Sequence, residues 1–186
     1  MPSYLWIVLG VATILFFWIV GVFNSFIRKR NRVHNAWSDI DVQLKRRYDL
    51  VPNLVETVKG YKGYESSILE DVAKARASAL SAQGGDITNR ARAEGMLSNT
   101  LRTLFAVAEN YPELKSAESF RKLQEQLSIL ENDIQSAREY YNASVREFNN
   151  AIQIFPAHII ASVFSFKKFE FFSVNENEKG PTSVSF

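Results

Sequence analysis

Apolar residues follow one another without interruption near the N-terminus and then recur at helical intervals for most of the chain. From Tyr4 to Phe23, "YLWIVLGVATILFFWIVGVF", twenty residues carry no charge. As a helix they would extend about 30 Å, the thickness of a bilayer's hydrocarbon core. Beyond them the spacing changes to steps of three and four, the mark of amphipathic helices. Trp37, Leu44, Val51 and Val58 stand seven apart, with Ile40, Leu54 and Tyr61 on the adjacent row, before Gly60 and Gly63 punctuate the pattern. A second set, Ile68/Leu69, Val72, Ala75 and Ala79, follows a Ser67-to-Glu70 capping box and stops at Gly84-Gly85. A third begins near Asp86 and runs through Ile87, Ala91, Leu97, Leu101, Leu104 and Ala108 to a break at Pro112. The fourth runs from Phe120 through Leu127, Ile134, Tyr141 and Phe148 to Phe155, 36 residues or about 54 Å of helix.

A single apolar stripe of that length must pack on partners, and its steps are those of a left-handed bundle or coiled coil. Short connections favour antiparallel neighbours. The expected fold is therefore all-α: an up-and-down four-helix bundle with long helices, preceded by one N-terminal transmembrane helix. The expected division is an anchor with its basic flank at 1–27, a helical-bundle domain at 28–172 and a polar, disordered tail at 173–186.

The apolar run has a rival reading as a cleaved signal peptide. Such peptides carry a basic n-region, a shorter apolar core and a small-residue cleavage site. Here "MPSYLW" has no basic side chain, and the run ends in "FNSFIRKR", so a retained anchor is expected. Charge is distributed to match. Residues 24–62 hold nine Lys/Arg against four Asp/Glu, within a chain of net charge +2. Arg28, Lys29, Arg30 and Arg32 all follow the span, which by the positive-inside rule places the C-terminal body in the cytoplasm, at the cell's inner (plasma) membrane. These cations set topology; pairing with anionic headgroups, at about 1 kcal/mol each, is the alternative.

The stretch "KRRYDLVPNLVETVKGY" breaks its own pattern. Arg47 lies seven residues from both Ile40 and Leu54, inside the apolar stripe, so it must be paired or snorkel to the surface. A carboxylate on a neighbouring helix is the expected partner, with Asp49, Glu94 and Glu131 as candidates. Pro52 lacks the amide that would bond the Tyr48 carbonyl. It either kinks one long helix or starts a new one, since Asn53 and Glu56 have capping-box spacing. Continuing the helix from Phe23 would put Lys45 about 33 Å beyond the bilayer boundary, too far for "KRR" to belong to the membrane flank.

At the other end, "AHIIASVFSFKKFEFFSV" sets five phenylalanines around Lys167-Lys168. Its apolar part is too short to cross a bilayer. The rings Phe164, Phe166 and Phe169 are expected to fold back and cap the bundle core, with an interfacial or partner-docking surface as the alternative.

Candidate chemistry is sparse. The 186-residue chain has no cysteine and two histidines, His34 and His158, which excludes disulfides and thiolate sites. No Glu-x-x-His pair, phosphate-binding loop, nucleophile elbow or dinucleotide fingerprint occurs. Asp39 and Asp41 read as solvent-facing charges. The "NAS" sequon at Asn142 falls on a helix of the expected cytoplasmic body. The net charge is too small to imply nucleic acid. No catalytic residue, cofactor or metal is expected.

Three longer stretches, "AWSDIDVQLKRRYDLVPNLVETVKGYKGYE", "AENYPELKSAESFRKLQEQLSILENDIQSAREYYNASVREFNNAIQIFP" and "FKKFEFF", resemble the LemA family, from the anchor through Phe172. The resemblance implies a membrane anchor and a helical body, brings no activity or cofactor, and includes a branch tied to magnetosome formation. Ser165 departs from the family pattern, in which Gly often precedes the aromatic at Phe166, and this bears on the local turn.

The functional expectation is a membrane-tethered, non-enzymatic interaction or organising module. Its expected partners are the lipid bilayer and an unidentified protein, with homo-oligomerisation left open. The alternatives are an enzyme with a helical active site, which requires a convergent polar pocket, and a membrane signal transducer, disfavoured by the three residues ahead of the span.

Overall fold

A computed structural model describes residues 3–61 and 66–173. In chain order it contains α1 (Ser3–Lys59), α2 (Ser66–Ser81), α3 (Ile87–Ala108), α4 (Pro112–Ser116), α5 (Glu118–Ala151) and α6 (Ala157–Val163). No strand occurs among the described residues, so the fold is all-α.

Two boundaries differ from the sequence reading, and the alternative it left open at Pro52 is decided. The span and the first bundle helix are a single helix, α1, which continues through Pro52. Asn53 therefore starts nothing: its carbonyl accepts from Thr57 Oγ1 at 2.8 Å inside the same helix. Ser67 is the second residue of α2 and not its cap. The long fourth helix ends at Ala151, so Ile152 and Phe155 belong to the turn before α6. Gly63 and the polar tail from 174 onward lie outside the described residues.

The chain forms two compact units. Among the described residues, one holds Asp39–Arg138 with 171–173; the other holds 3–38 with Glu139–Glu170. We call them the bundle unit and the anchor unit.

In the bundle unit the three-and-four stripe is the core. Ile40, Leu44, Val51, Leu54 and Val58 of α1 are fully buried, as are Val72 and Ala79 of α2, Leu97 and Leu104 of α3, and Phe120 and Ile134 of α5. Side-chain pairings give the helix directions. Asp41 meets Arg90 and Arg47 meets Glu94 and Ser98, so α1 and α3 run parallel. The α2 helix returns between them, and α5 closes the set by way of the short α4. The bundle unit is thus up-and-down in topology. Asp86 caps α3 through its carboxylate, which accepts the Asn89 amide at 3.2 Å. The preceding turn needs Gly84, whose φ of +79° is a region that L side chains rarely adopt.

In the anchor unit, the large apolar side chains of α1 from Tyr4 to Val20 are all solvent-facing. A helix that is apolar all round and unburied suits a bilayer and not water, and α1 is long and apolar enough there to cross one. Further along, Lys29 and Arg32 both pair with Glu147, and the Trp37 and Tyr141 rings lie 5.2 Å apart. These contacts set α5 antiparallel to α1 within this unit.

Candidate functional site

Charged side chains occupy stripe positions of the bundle unit, and there they find one another. Arg47 is 1% exposed and Glu94 is fully buried. Arg47 Nη2 donates to Glu94 Oε2. Its Nη1 donates to Ser98 Oγ and to Glu131 Oε2, both at 2.8 Å. Ser98 Oγ in turn donates to Glu131 Oε1 at 3.1 Å, and Tyr48 OH donates to Glu94 Oε1. A short distance along the same helices, Arg90 Nη2 donates to Asp41 Oδ1. One guanidinium thus ties α1 to α3 and α5. A buried charge is tolerable only with such pairing, because removing one partner strands the other in a low-dielectric interior.

Arg138 belongs to the same group. It is buried, its guanidinium carbon sits 4.9 Å above the Phe172 ring, and its Nε and Nη2 have no hydrogen-bond partner among the described residues. Burial lowers its pKa, and the nearby Arg47 charge adds to the effect; a guanidinium still keeps its proton. Burial also raises the pKa of Tyr48, reinforced by its hydrogen bond to Glu94 and that carboxylate's charge. Tyr48 is therefore a neutral donor, committed to one carboxylate.

Two of the three expected partners of Arg47 are its partners, Glu94 and Glu131; Asp49 is exposed. Asp41, read as solvent-facing, instead pairs with the buried Arg90, while Asp39 is exposed. The reading missed Arg90, Glu94 as a core residue, and Arg138. The signal was available: each stands three or four residues from apolar stripe positions (Ile87, Ala91, Leu97, Ile134, Tyr141), as Arg47 does. Pro52 is exposed. A cavity of about 730 Å³ opens beside the network, with Arg47, Ser98 and Glu131 joined in its lining by Arg102, Phe105 and Arg121. No group of three metal-ligating side chains occurs among the described residues.

The anchor unit carries the other predicted residues. Phe166 packs against Phe23, Phe26 and Phe148. Phe164 packs on Phe23 at 4.8 Å, and Phe169 on Phe148 and His34. Asn149 holds this segment by its backbone: Oδ1 accepts the Phe169 amide and Nδ2 donates to the Phe169 carbonyl, both at 2.9 Å. Tyr141 OH donates to the Glu170 carbonyl at 3.0 Å; burial and then the Glu170 charge push its pKa up to about 12. Of the basic flank, Lys29 and Arg32 are engaged by Glu147, whose carboxyl is held below its usual range first by the Lys29 hydrogen bond. Arg30 sits over the Phe166 ring at 6.0 Å, and Arg28 is exposed.

The LemA family model matches residues 36–186, which includes the buried network and the aromatic return. The chain belongs to the LemA family. Over 186 aligned residues it is 27% identical to the magnetosome protein MamQ of Magnetospirillum gryphiswaldense, covering 87% of this chain and 68% of that one. It is 26% identical to protein LemA of Metamycoplasma hominis, over 92% of this chain and 78% of that relative. The magnetosome proteins MamQ 1 and MamQ 2 of Paramagnetospirillum magneticum match at 26%. The LemA match begins at Ala36, past the apolar segment of α1, so the span is argued from its own length, composition and exposure.

Proposed function

We propose that this LemA-family protein is a membrane-tethered, non-enzymatic interaction or organising module, with its body on the cytoplasmic side of the inner membrane. One observation carries the reading: α1 is a single helix whose N-terminal part is uncharged, rich in large apolar side chains and unburied, and whose C-terminal part carries core residues of the bundle unit. The tether and the body therefore share one element. The central polar groups support the same reading, since Arg47 pairs with Glu94, Ser98 and Glu131 and Tyr48 donates to Glu94, an arrangement that ties helices together. Three relatives are named for a cell structure, the magnetosome, and none of those compared is named for a reaction.

The experiment is site-specific photo-crosslinking of the full chain in native membranes, from the exposed positions Met96 and Ile129, with mass spectrometry of the products. The reading expects a small, reproducible set of adducts that disappears when either side chain is replaced by Glu. Uniform labelling of abundant bystanders would overturn it.

The enzyme reading draws on one observation, the cavity beside Arg47 with Arg102, Arg121 and Lys122 in its lining. It predicts that small anions raise the thermal stability of the full chain and that Arg102→Ala with Arg121→Ala abolishes the gain.

A further inference from the structure

In the anchor unit, α5 runs antiparallel to α1, so the chain beyond Glu147 heads toward the apolar segment of α1. Ala151 lies four residues on, about 6 Å of helix. Between Glu147 and Lys167 the sequence contains no Asp, Glu, Lys or Arg. That stretch makes the turn after α5 and then α6, a short uncharged helix. Ile160 and Ala161 on its inner side are buried. On the outer side Phe155 is 74% and Val163 73% exposed, with Ile154, Ile159 and Phe164 at least half exposed. Phe164 rests on Phe23, the residue that ends the apolar stretch before Asn24 and Ser25. This apolar ridge therefore stands at the level where α1 would leave the hydrocarbon core.

Cations rim the ridge. A cavity of about 540 Å³ is lined by Phe23, Ile27 and Phe164 on its apolar side and by Arg30, Lys167 and Lys168 on the other. Nearby, Glu147 is occupied by Lys29 and Arg32, and Glu170 is the next acidic residue along the chain. Arg28, Arg30, Lys167 and Lys168 thus leave an excess of positive charge beside the apolar face. The chain turns into this arrangement through a Schellman ending of α6: the Phe166 amide donates to the Ala161 carbonyl and the Ser165 amide to that of Ser162.

We propose that residues 152–168 form a second membrane contact, an interfacial one. Ile159, Val163 and Phe164 sink into the boundary between headgroups and acyl chains, and Arg30, Lys167 and Lys168 take the phosphate of an acidic phospholipid. The occupant is argued from the complementary charge and from continuity with the apolar segment of α1, so the inference rests on that segment spanning the bilayer. An apolar face of this kind reaches about 5–10 Å into the boundary. Each lysine adds about 1 kcal/mol of attraction to an anionic surface.

The chain has no native cysteine, which permits clean spin labelling of the full chain in vesicles of phosphatidylcholine with phosphatidylglycerol. Labels at Ile14→Cys (span), Ile129→Cys (bundle unit) and Ile159→Cys or Val163→Cys (ridge) are compared for collision with oxygen and with a water-soluble relaxant. The ridge labels should favour oxygen, at a depth between the span label and the Ile129 label. Ridge labels as water-accessible as Ile129 would overturn the proposal while leaving the span intact; a water-accessible Ile14 label would overturn the span and the proposal together. Ridge labels shielded from both reagents would mean that protein covers the face, which also overturns it. In a second arm, brominated phosphatidylglycerol should quench a fluorophore at Val163→Cys more than brominated phosphatidylcholine does. Lys167→Ser and Lys168→Ser should each cut that preference about five-fold without changing depth. Loss of the preference on adding inorganic phosphate would show a free-anion site and overturn the lipid assignment.

Discussion

Arg76 of α2 donates its Nε proton to the backbone carbonyl of Tyr48 at 2.8 Å, the carbonyl that Pro52, four residues on, cannot serve. A proline inside a helix leaves the i−4 carbonyl without its amide and crowds it with the ring. Here a side chain from the neighbouring helix takes that acceptor, and α1 continues past Pro52 to Lys59. The local defect in α1 becomes a contact between helices.

That contact predicts coupling. Arg76→Met in the native background should cost about 1–2 kcal/mol, because a charge-assisted hydrogen bond is lost and a part-buried carbonyl is left unpaired. With Pro52→Ala the Tyr48 carbonyl regains an amide, and the cost of Arg76→Met should fall by about 1 kcal/mol. A double-mutant cycle by denaturant unfolding of the full chain in micelles measures this. Additive losses would mean that the arginine does not serve the proline's carbonyl.

Arg47→Ala should destabilise the protein by about 3–5 kcal/mol, since Glu94 would keep its charge in the interior without its cation. Arg47→Met retains the stem's packing and should lose nearly as much. Arg46→Ala, on the exposed face one residue away, should cost well under about 1 kcal/mol. The same unfolding assay applies, and equal small losses at both positions would contradict a buried network.

High pH should destabilise the fold through its tyrosines. An unfolded tyrosine ionises near 10, whereas Tyr141 is pushed up to about 12 and Tyr48 is raised as well. Both keep their protons in the fold over a range in which the unfolded chain releases them. Their contribution is complete below about 10 and is lost as the pH climbs toward the folded values. Tyr141→Phe should flatten this decline, followed by stability against pH alongside tyrosinate absorbance. An unchanged slope would remove Tyr141 from the account.

Ser165 sits at φ +54°, at the left-handed position of the α6 ending, which Gly adopts without strain. Ser165→Gly relieves a strain of about 1–2 kcal/mol and returns part of it as unfolded-state entropy. A net gain of about 0.5–1 kcal/mol in thermal unfolding is expected, and Ser165→Val should lose stability instead. A loss with Gly would show that the Ser165 side chain makes a contact worth more than the strain.

Orientation is testable without purification. A reporter active only in the cytoplasm, fused after Phe186, should be active, and one active only outside it should be silent. The reverse pattern would invert the topology read from Arg28, Lys29, Arg30 and Arg32.

The spacing of apolar residues by itself determined the helices and their inner faces. Ile40, Leu44, Leu54, Leu97, Ile134 and Phe148 are buried as their three-and-four steps require, because helical periodicity is a local property of the chain. The same periodicity marked Arg47 as a buried cation, since a charge on the stripe has nowhere else to go. Partner choice is different. Arg47 meets Glu94 and Glu131 and not Asp49 because α3 and α5 bring those carboxylates to its level, and helix register is set by packing across long sequence separations. Asp41 meets Arg90 for the same reason. Only the tertiary structure supplied the rescue of Pro52 by Arg76, because a helix-breaking residue is tolerated when another element satisfies the orphaned carbonyl. It also divided the long fourth stripe at Ala151: the apolar spacing runs on to Phe155, but there the chain leaves the helix and turns into α6, with Phe166 packed against Phe23 and Phe26.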